Sequence, residues 1–336
     1  IAFLWKEIGT NCMHLPETHE FVKLLRDISD YINPGLILLT ETNVPNKENL
    51  SYFGDNDEAN MVYKFSLPPL LLHALYIGNA TYLSKWAATV PELPKECTFF
   101  NFTASHDGVG VRPLEGLVPK EELDTLVSGM RSFGGMVNTK RNTDGTDSPY
   151  ELNITYFDAL KGTIQGEDTM QVERFICSQT VMMSLIGIPA FYIHSLLATK
   201  NYTEGTEITG MNRTINRRKW NFDELDGLLH SDTHHSIVLR ELLKRIEIRK
   251  LQNAFSPSKS QQILELNSRL FGVVRGDDEL FAIFNVTGAA QKIDIKPIIK
   301  SESIVEELIE GVQYVLDEES CKISLKPYQA IWLKPV

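Results

Sequence analysis

The chain has 336 residues, 43% of them hydrophobic and 23% charged, with a formal net charge of −11 at pH 7. That size and balance fit one large globular domain with an appendage. The acidic excess argues against binding nucleic acid or an anionic membrane, which needs basic patches; it leaves a neutral sugar or a locally held phosphate open. Cys12, Cys97, Cys177 and Cys321 are scattered with no C-x-x-C pair, so reduced thiols and a cytoplasmic location are expected. No apolar run reaches membrane-spanning length and no signal peptide opens the chain. It starts at Ile1, without methionine, inside what already reads as a folded unit, and a longer parent protein is expected.

Across residues 17–32, Phe21, Val22, Leu24, Leu25, Ile28 and Ile32 recur at helical spacing, and Pro34-Gly35 stops the helix. Residues 36–39 follow as a buried strand, with Glu41 just past its end. Residues 43–58 are polar and rich in turn formers, which predicts a loop. Residues 61–67 read as another strand, and Pro68-Pro69 opens a helix that continues through His73 and Tyr76. Residues 98–103 form the next strand, leading to His106-Asp107. Residues 112–150 make a long insertion rich in Gly, Asn, Asp and Ser, of a length usually tied to function or disorder. A helix over 174–185 and a last buried strand over 187–194 complete this part. Strands alternating with helices imply a parallel sheet with crossover helices. After about Gln261 the texture changes to short alternating segments, at 270–275, 279–286, 292–295, 312–316 and 322–333, which predict a small antiparallel β-domain.

Two carboxylates, Glu41 and Asp107, are thus delivered by two strand ends, the way β/α barrels build active sites and the apparatus that glycoside chemistry uses. Alone, Glu41 reads as a solvated loop acid and Asp107 as a turn aspartate before Gly108; the apolar strand ahead of each favours the catalytic reading. Arg213 sits with Arg217, Arg218 and Lys219, where a solvated basic cluster is an equal alternative. His14, His19, His73, His234 and His235 lack metal-ligand spacing with nearby carboxylates, so no metal is expected.

The ordered motifs Trp5-Lys-Glu-Ile-Gly-Thr10, Leu39-Thr-Glu-Thr-Asn-Val-Pro45, Tyr52-Phe-Gly54, Phe65-Ser-Leu-Pro-Pro-Leu70 and Ala104-Ser-His-Asp-Gly108 resemble those of glycoside hydrolase family 13, in its sucrose phosphorylase-like branch. Pro149-Tyr-Glu-Leu-Asn153, Tyr156-Phe-Asp-Ala-Leu160, Gly187-Ile-Pro-Ala-Phe-Tyr192 and Asn212-Arg-Thr-Ile-Asn-Arg217 continue the match over essentially the whole chain. The resemblance implies an α/β fold: the C-terminal part of a (β/α)8 TIM barrel followed by a small antiparallel β-domain. Residues 1–260 would hold barrel strands 5 to 8 with an insertion at about 112–150, and residues 261–336 the C-terminal β-domain. It implies Glu41 as general acid/base, Asp107 as transition-state stabiliser, His106 as a sugar hydrogen-bonding group and Arg213 as the arginine of the glucose subsite. The family's nucleophilic aspartate, in an Arg-x-Asp motif, would fall just before Ile1, so these 336 residues alone are expected to be inactive.

The implied chemistry is double displacement with retention on an α-glucoside, with inorganic phosphate as second substrate, α-glucose 1-phosphate as product, and no cofactor. Arg112, Arg131, Lys140 and Arg141 in the insertion offer cations for an anionic partner. Glu151, after Tyr150, stands where sucrose phosphorylases usually carry glutamine facing the fructosyl side, exchanging an amide donor for an acceptor. With Val109-Gly-Val-Arg-Pro-Leu-Glu-Gly116, that motif looks more like the glucosylglycerate phosphorylases of the branch. A glycerate carboxylate would pair with Arg112, Arg131 or Arg141, although Glu151 would have to avoid it. Sucrose or glucosylglycerol as substrate, a hydrolase or transglucosidase, and a sugar-binding paralogue without turnover remain alternatives, and the oligomeric state is open.

Overall fold

A computed structural model describes residues 1–142, 144–299, 304–316 and 320–336. Four short strands, Leu39–Thr40, Met61–Tyr63, Thr98–Asn101 and Ile188–Pro189, pair in parallel in that order. Parallel neighbours cannot be closed by a hairpin, so helices cross between them. Leu67–Ile77 and Thr81–Ala88 link the second strand to the third, and Gln171–Ser184 leads into the fourth. Pro68 and Pro69 lie in the first turn of Leu67–Ile77, where a missing N–H costs nothing, and Gly78 ends it at φ 74°.

The register Leu39↔Met61, Met61↔Thr98 and Phe100↔Ile188 puts alternate residues on opposite faces. Val62 and Phe99 bury against Val22, Tyr52 and Phe53 on the helix-covered face. On the other face Tyr63, Phe65, Phe100 and Phe102 form a ring cluster.

Residues 36–39 are not the buried strand expected: Leu36, Ile37 and Leu39 are exposed. Of these only Leu39 is in the strand Leu39–Thr40, which among the described residues is an edge with a partner on one side. Helix Pro16–Ile32 matches the expected span but buries Thr18, Val22, Arg26 and Ser29, leaving Phe21, Leu24, Leu25 and Ile28 exposed. Residues 43–58 are not all loop, since they contain the helix Asn46–Leu50 and a 3-10 turn Ser51–Phe53 whose Tyr52 and Phe53 are buried.

The insertion is an ordered subdomain rather than a loop. A helix, Lys120–Ser132, precedes a hairpin of Met136–Arg141 with Asp147–Asn153, to which the short strand Val109–Gly110 adds; Thr143 lies outside the described residues. Leu126, Val127 and Met130 supply a buried helix face that its polar composition hid. Glu122 ties this helix to the sheet-covering helices, accepting from the Tyr82 hydroxyl at 3.0 Å and meeting His73 Nε2 at 2.8 Å. The last strand is shorter than expected, because the chain leaves Ile188–Pro189 for a helical turn at Ile193–Leu196. Three helices that the sequence reading passed over follow: Thr203–Thr209, Phe222–Leu229 and His234–Lys250, the last started by a Thr233/Ser236 capping box.

The C-terminal sheet orders Gln261–Ile263, Leu270–Arg275, Leu280–Asn285, Ala330–Pro335, Ile304–Glu307 and Val312–Val315, all antiparallel. The segment 322–333 is two strands, Lys322–Leu325 and Ala330–Pro335, parted by a turn in which Tyr328 takes φ 52°. One face packs Leu270, Val274, Phe281, Ile283 and Ile331 into a core of its own. The other, with Phe271, Val273, Phe284 and Trp332, joins the core of helix Gln171–Ser184. Trp332 Nε1 donates to Ser184 Oγ at 2.8 Å, and Arg275 donates to Ser184 O at 3.2 Å and Ser256 O at 2.8 Å.

Lys64, just past the second strand, has its ammonium buried and, among the described residues, without a hydrogen-bond partner, 4.1 Å from the Phe99 ring centre and 5.2 Å from that of Trp86. Burial, and secondarily the charge of Arg275, push it down to about 7. The unfolded chain keeps its proton to well above that value, so between about 7 and 10 the unfolded state binds more protons and this site makes stability rise with pH. Lys64→Met should therefore stabilise the fold by on the order of 3 kcal/mol at pH 6, after loss of the ring contacts, with the gain shrinking toward pH 10. Denaturant titrations of parent and variant at pH 6, 8 and 9.5 check this; an equal difference at all three would contradict it.

Candidate active site

Glu41 emerges at the C-terminal end of strand Leu39–Thr40, exposed and, among the described residues, without an ion-pair or hydrogen-bond partner. The pairing Thr40↔Val62 places Glu41 level with Tyr63 on the neighbouring strand. Burial first, then the charges of Glu41 and Asp107, hold the Tyr63 phenol above its usual value. The two sequence-predicted acids thus lie beyond the strands on either side of the one that carries Tyr63.

Asp107 follows strand Thr98–Asn101 and has a side chain about one quarter exposed. Its Oδ1 lies 2.8 Å from Arg213 Nη1 and 3.1 Å from Arg217 Nη2. His106 points outward, its side chain 64% exposed, with Nε2 3.6 Å from Asp107 Oδ1. Glu151, on the hairpin strand Asp147–Asn153, is only 2% exposed. It accepts from Arg213 Nε at 3.1 and 3.3 Å and from Arg213 Nη2 at 3.0 Å, and from the backbone N–H of Gly108. Gly108 must be glycine: a Cβ there would sit 2.5 Å from Leu152 O. The bond to Glu151, reinforced by the charges of Glu151 and Asp107, holds Arg213 firmly ionised.

Arg213 thus bridges a buried carboxylate on the insertion and a half-buried one beyond the sheet, with its own side chain still 39% exposed. Arg213→Ala should leave Glu151 buried with its charge unopposed and cost about 2–3 kcal/mol, read as a lowered urea midpoint with unchanged slope. A midpoint equal to the parent's would show that Glu151 finds another partner.

Tyr150 is half-buried, and its carbonyl accepts from the Val111 N–H. Arg112 is half-buried, its Nε without a hydrogen-bond partner among the described residues. Its charge reaches His14, whose imidazole burial chiefly holds below its usual value and whose Nδ1 meets the Tyr52 hydroxyl at 2.9 Å. Gly110, two residues earlier, lies flush on Asn43: a Cβ there would fall 2.5 Å from Asn43 Nδ2. The other insertion cations stand apart. Lys140 pairs with Glu115 at 3.2 Å, Arg141 with Asp147 at 3.3 Å, and Arg131 is exposed.

Sequence reasoning missed Tyr63, Asn138, Asn216 and Arg217. Asn138 Nδ2 lies 3.5 Å from Glu151 Oε2 and its Oδ1 accepts from Asn212 at 2.7 Å. The motif around Arg213 pointed to Arg217, but its partner is 110 residues away in sequence. A cavity of about 980 Å³ opens instead at the N-terminal ends of the strands, among Gly35, Met61, Thr98 and Ile188. That is the end opposite the acids, where barrel proteins place stability rather than chemistry. Among the described residues no helix is long and apolar enough to cross a membrane, and no cluster of His, Cys, Asp and Glu is assembled for a metal.

Helix-linked parallel strands with carboxylates beyond their C-terminal ends are a layout in which β/α proteins build sites at that face of the sheet. No family model matches the chain. It is 40% identical, over its full length, to a glucosylglycerate phosphorylase of Spirochaeta thermophila, of which it spans 59%. It is 30% identical over 66% of its length to a sucrose phosphorylase of Bifidobacterium adolescentis, of which that match covers 42%. Among solved structures, sucrose 6F-phosphate phosphorylase from Thermoanaerobacter thermosaccharolyticum superposes with a TM-score of 0.70 at 20% identity, covering 97% of this chain and 58% of that one. The curated relatives it matches at this level are thus glucosylglycerate phosphorylases, with sucrose phosphorylases more distant, and the chain spans less than two thirds of their length.

Proposed function

We propose that the whole protein is a retaining α-glucoside phosphorylase that transfers glucosyl from glucosylglycerate to inorganic phosphate, giving α-glucose 1-phosphate. The observation that carries this reading is the placement of Glu41 and Asp107 beyond the C-terminal ends of the first and third parallel strands, on either side of Tyr63, with Arg213 joining Asp107 to Glu151 of the insertion. In this reading the four parallel strands are strands 5 to 8 of a (β/α)8 barrel within residues 1–260, and residues 261–336 form the C-terminal β-domain. The exposed edge at Leu36, Ile37 and Leu39 is what a sheet awaiting further strands presents. Buried thiols at Cys97 and Cys177 support a cytoplasmic setting.

Glu41, without a partner among the described residues, is placed to give a proton to the leaving oxygen and later to take one from the attacking acceptor. Asp107, held by two guanidinium groups through one oxygen, meets the positive charge that develops at the anomeric centre. Because its charge is committed, Asp107 is the stabiliser and not the attacking group. Retention needs a separate carboxylate about 5–5.5 Å from the acid/base, and no residue among these 336 is assigned to that step.

His106 and Arg213 line the sugar side, while Tyr150, Glu151 and Arg112 line the acceptor side. Glu151 spends its charge on Arg213 and the Gly108 N–H, so an acceptor carboxylate would not meet a bare anion there. Arg112, whose Nε has no partner among the described residues, is the cation available to it. The 40% identity to a glucosylglycerate phosphorylase supports glycerate over fructose as acceptor.

The test is synthesis from α-glucose 1-phosphate with glycerate, fructose or glycerol offered separately to the whole protein. Phosphate release with glycerate should exceed that with either other acceptor by about tenfold or more. Fastest release with fructose would make it a sucrose phosphorylase, and equal release with water alone a hydrolase.

A further inference from the structure

We infer that Arg217 is a positioning residue that aims Asp107, an inference that rests on the catalytic reading of Asp107. Three basic residues follow one another here and do different things. Arg218 stacks 3.9 Å over the Trp220 ring and pairs with Glu224 at 2.9 Å, and Lys219 is exposed. Arg217 alone turns inward. Its Nε donates to His106 O at 2.7 Å and its Nη2 to Asp107 Oδ1 at 3.1 Å, so one planar guanidinium grips both the backbone and the carboxylate of the His-Asp pair.

The base from which it reaches is itself fixed. Asn212–Asn216 is a 3-10 turn with Ile215 buried, and its Asn216 carbonyl accepts from the Tyr192 hydroxyl at 2.8 Å. Asn216 Nδ2 donates to Ser105 O at 2.5 Å and Asp107 O at 3.2 Å. Residues 216 and 217 therefore latch the 105–107 segment to the end of the fourth parallel strand. Strand Thr98–Asn101 stops well short of Asp107, so the carboxylate is held in place by this latch together with Arg213 and the bond from the Gly108 N–H to Glu151. Arg213 and Arg217 both take Oδ1, which leaves Oδ2 without a partner among the described residues and open to substrate. A transition-state charge is met well only by a group already held in place, which is what the second arginine supplies.

The test compares Arg217→Ala and Arg217→Lys with the parent, in the whole protein, using phosphorolysis and α-glucosyl fluoride in parallel. Arg217→Ala should lower kcat about 30–100-fold on both substrates, with each KM moving less than about threefold. Arg217→Lys, which can reach one of the two acceptors but not both, should recover part of that loss. An unchanged kcat, or a loss confined to the KM for phosphate, overturns the inference, the latter making Arg217 an anion contact. Hydrogen exchange gives a reading independent of turnover: amides of residues 105–108 should exchange faster in Arg217→Ala, and equal exchange also overturns it. Failure of the parent to form glucose 1-phosphate would instead refute the phosphorylase reading, with the exchange experiment still deciding the latch.

Discussion

Glu41→Gln should lower turnover of glucosides with ordinary leaving groups by about 10²–10⁴-fold, the range a positioned general acid contributes. The amide keeps the shape and loses only the transferable proton. α-Glucosyl fluoride, whose leaving group departs without protonation, should lose far less in the glucosylation step. Because Glu41 is exposed and has no partner among the described residues, the melting midpoint should stay where it is. Initial rates on both substrates with a thermal melt check all three statements. Parent-like rates on ordinary glucosides would remove Glu41 from the chemistry.

Asp107→Asn should be as damaging to turnover, about 10³-fold in kcat, for a different reason. The neutral amide no longer opposes the charge that develops on the sugar, so α-glucosyl fluoride should fall with the ordinary glucosides. Arg213 and Arg217 would then face an amide in place of a carboxylate. At a site this open to solvent the cost in stability should be small, about 1 kcal/mol. The opposite pattern, a large loss of stability with normal turnover in the molecules that remain folded, would make Asp107 a structural aspartate.

Elements governed by local rules were readable from the sequence. The helical period fixed Pro16–Ile32 within a residue, Pro68-Pro69 marked a helix start, and the segment 270–275 coincides with strand Leu270–Arg275. What the period could not say is which neighbours exist: Phe21, Leu24, Leu25 and Ile28 form a proper apolar stripe and yet face outward. Composition misled in the insertion, where Gly, Asn, Asp and Ser suggested a loop and the chain forms a helix and a hairpin. There the hairpin tip carries the turn formers, while Leu126, Val127 and Met130 bury the helix face. The candidate site was proposed from residue types at strand ends, because an acid following a short apolar run is a local pattern. Its wiring was not. Glu151 finds Arg213 across 62 residues and Asp107 finds Arg217 across 110, and no periodicity encodes pairings at that range.

The central claim is tested most directly by giving glucosylglycerate to the whole protein with and without inorganic phosphate, and following the sugar products by NMR. The account predicts α-glucose 1-phosphate with retained configuration, formed only when phosphate is present, with little free glucose. Free glucose released at the same rate without phosphate would contradict it and leave a hydrolase on the same fold.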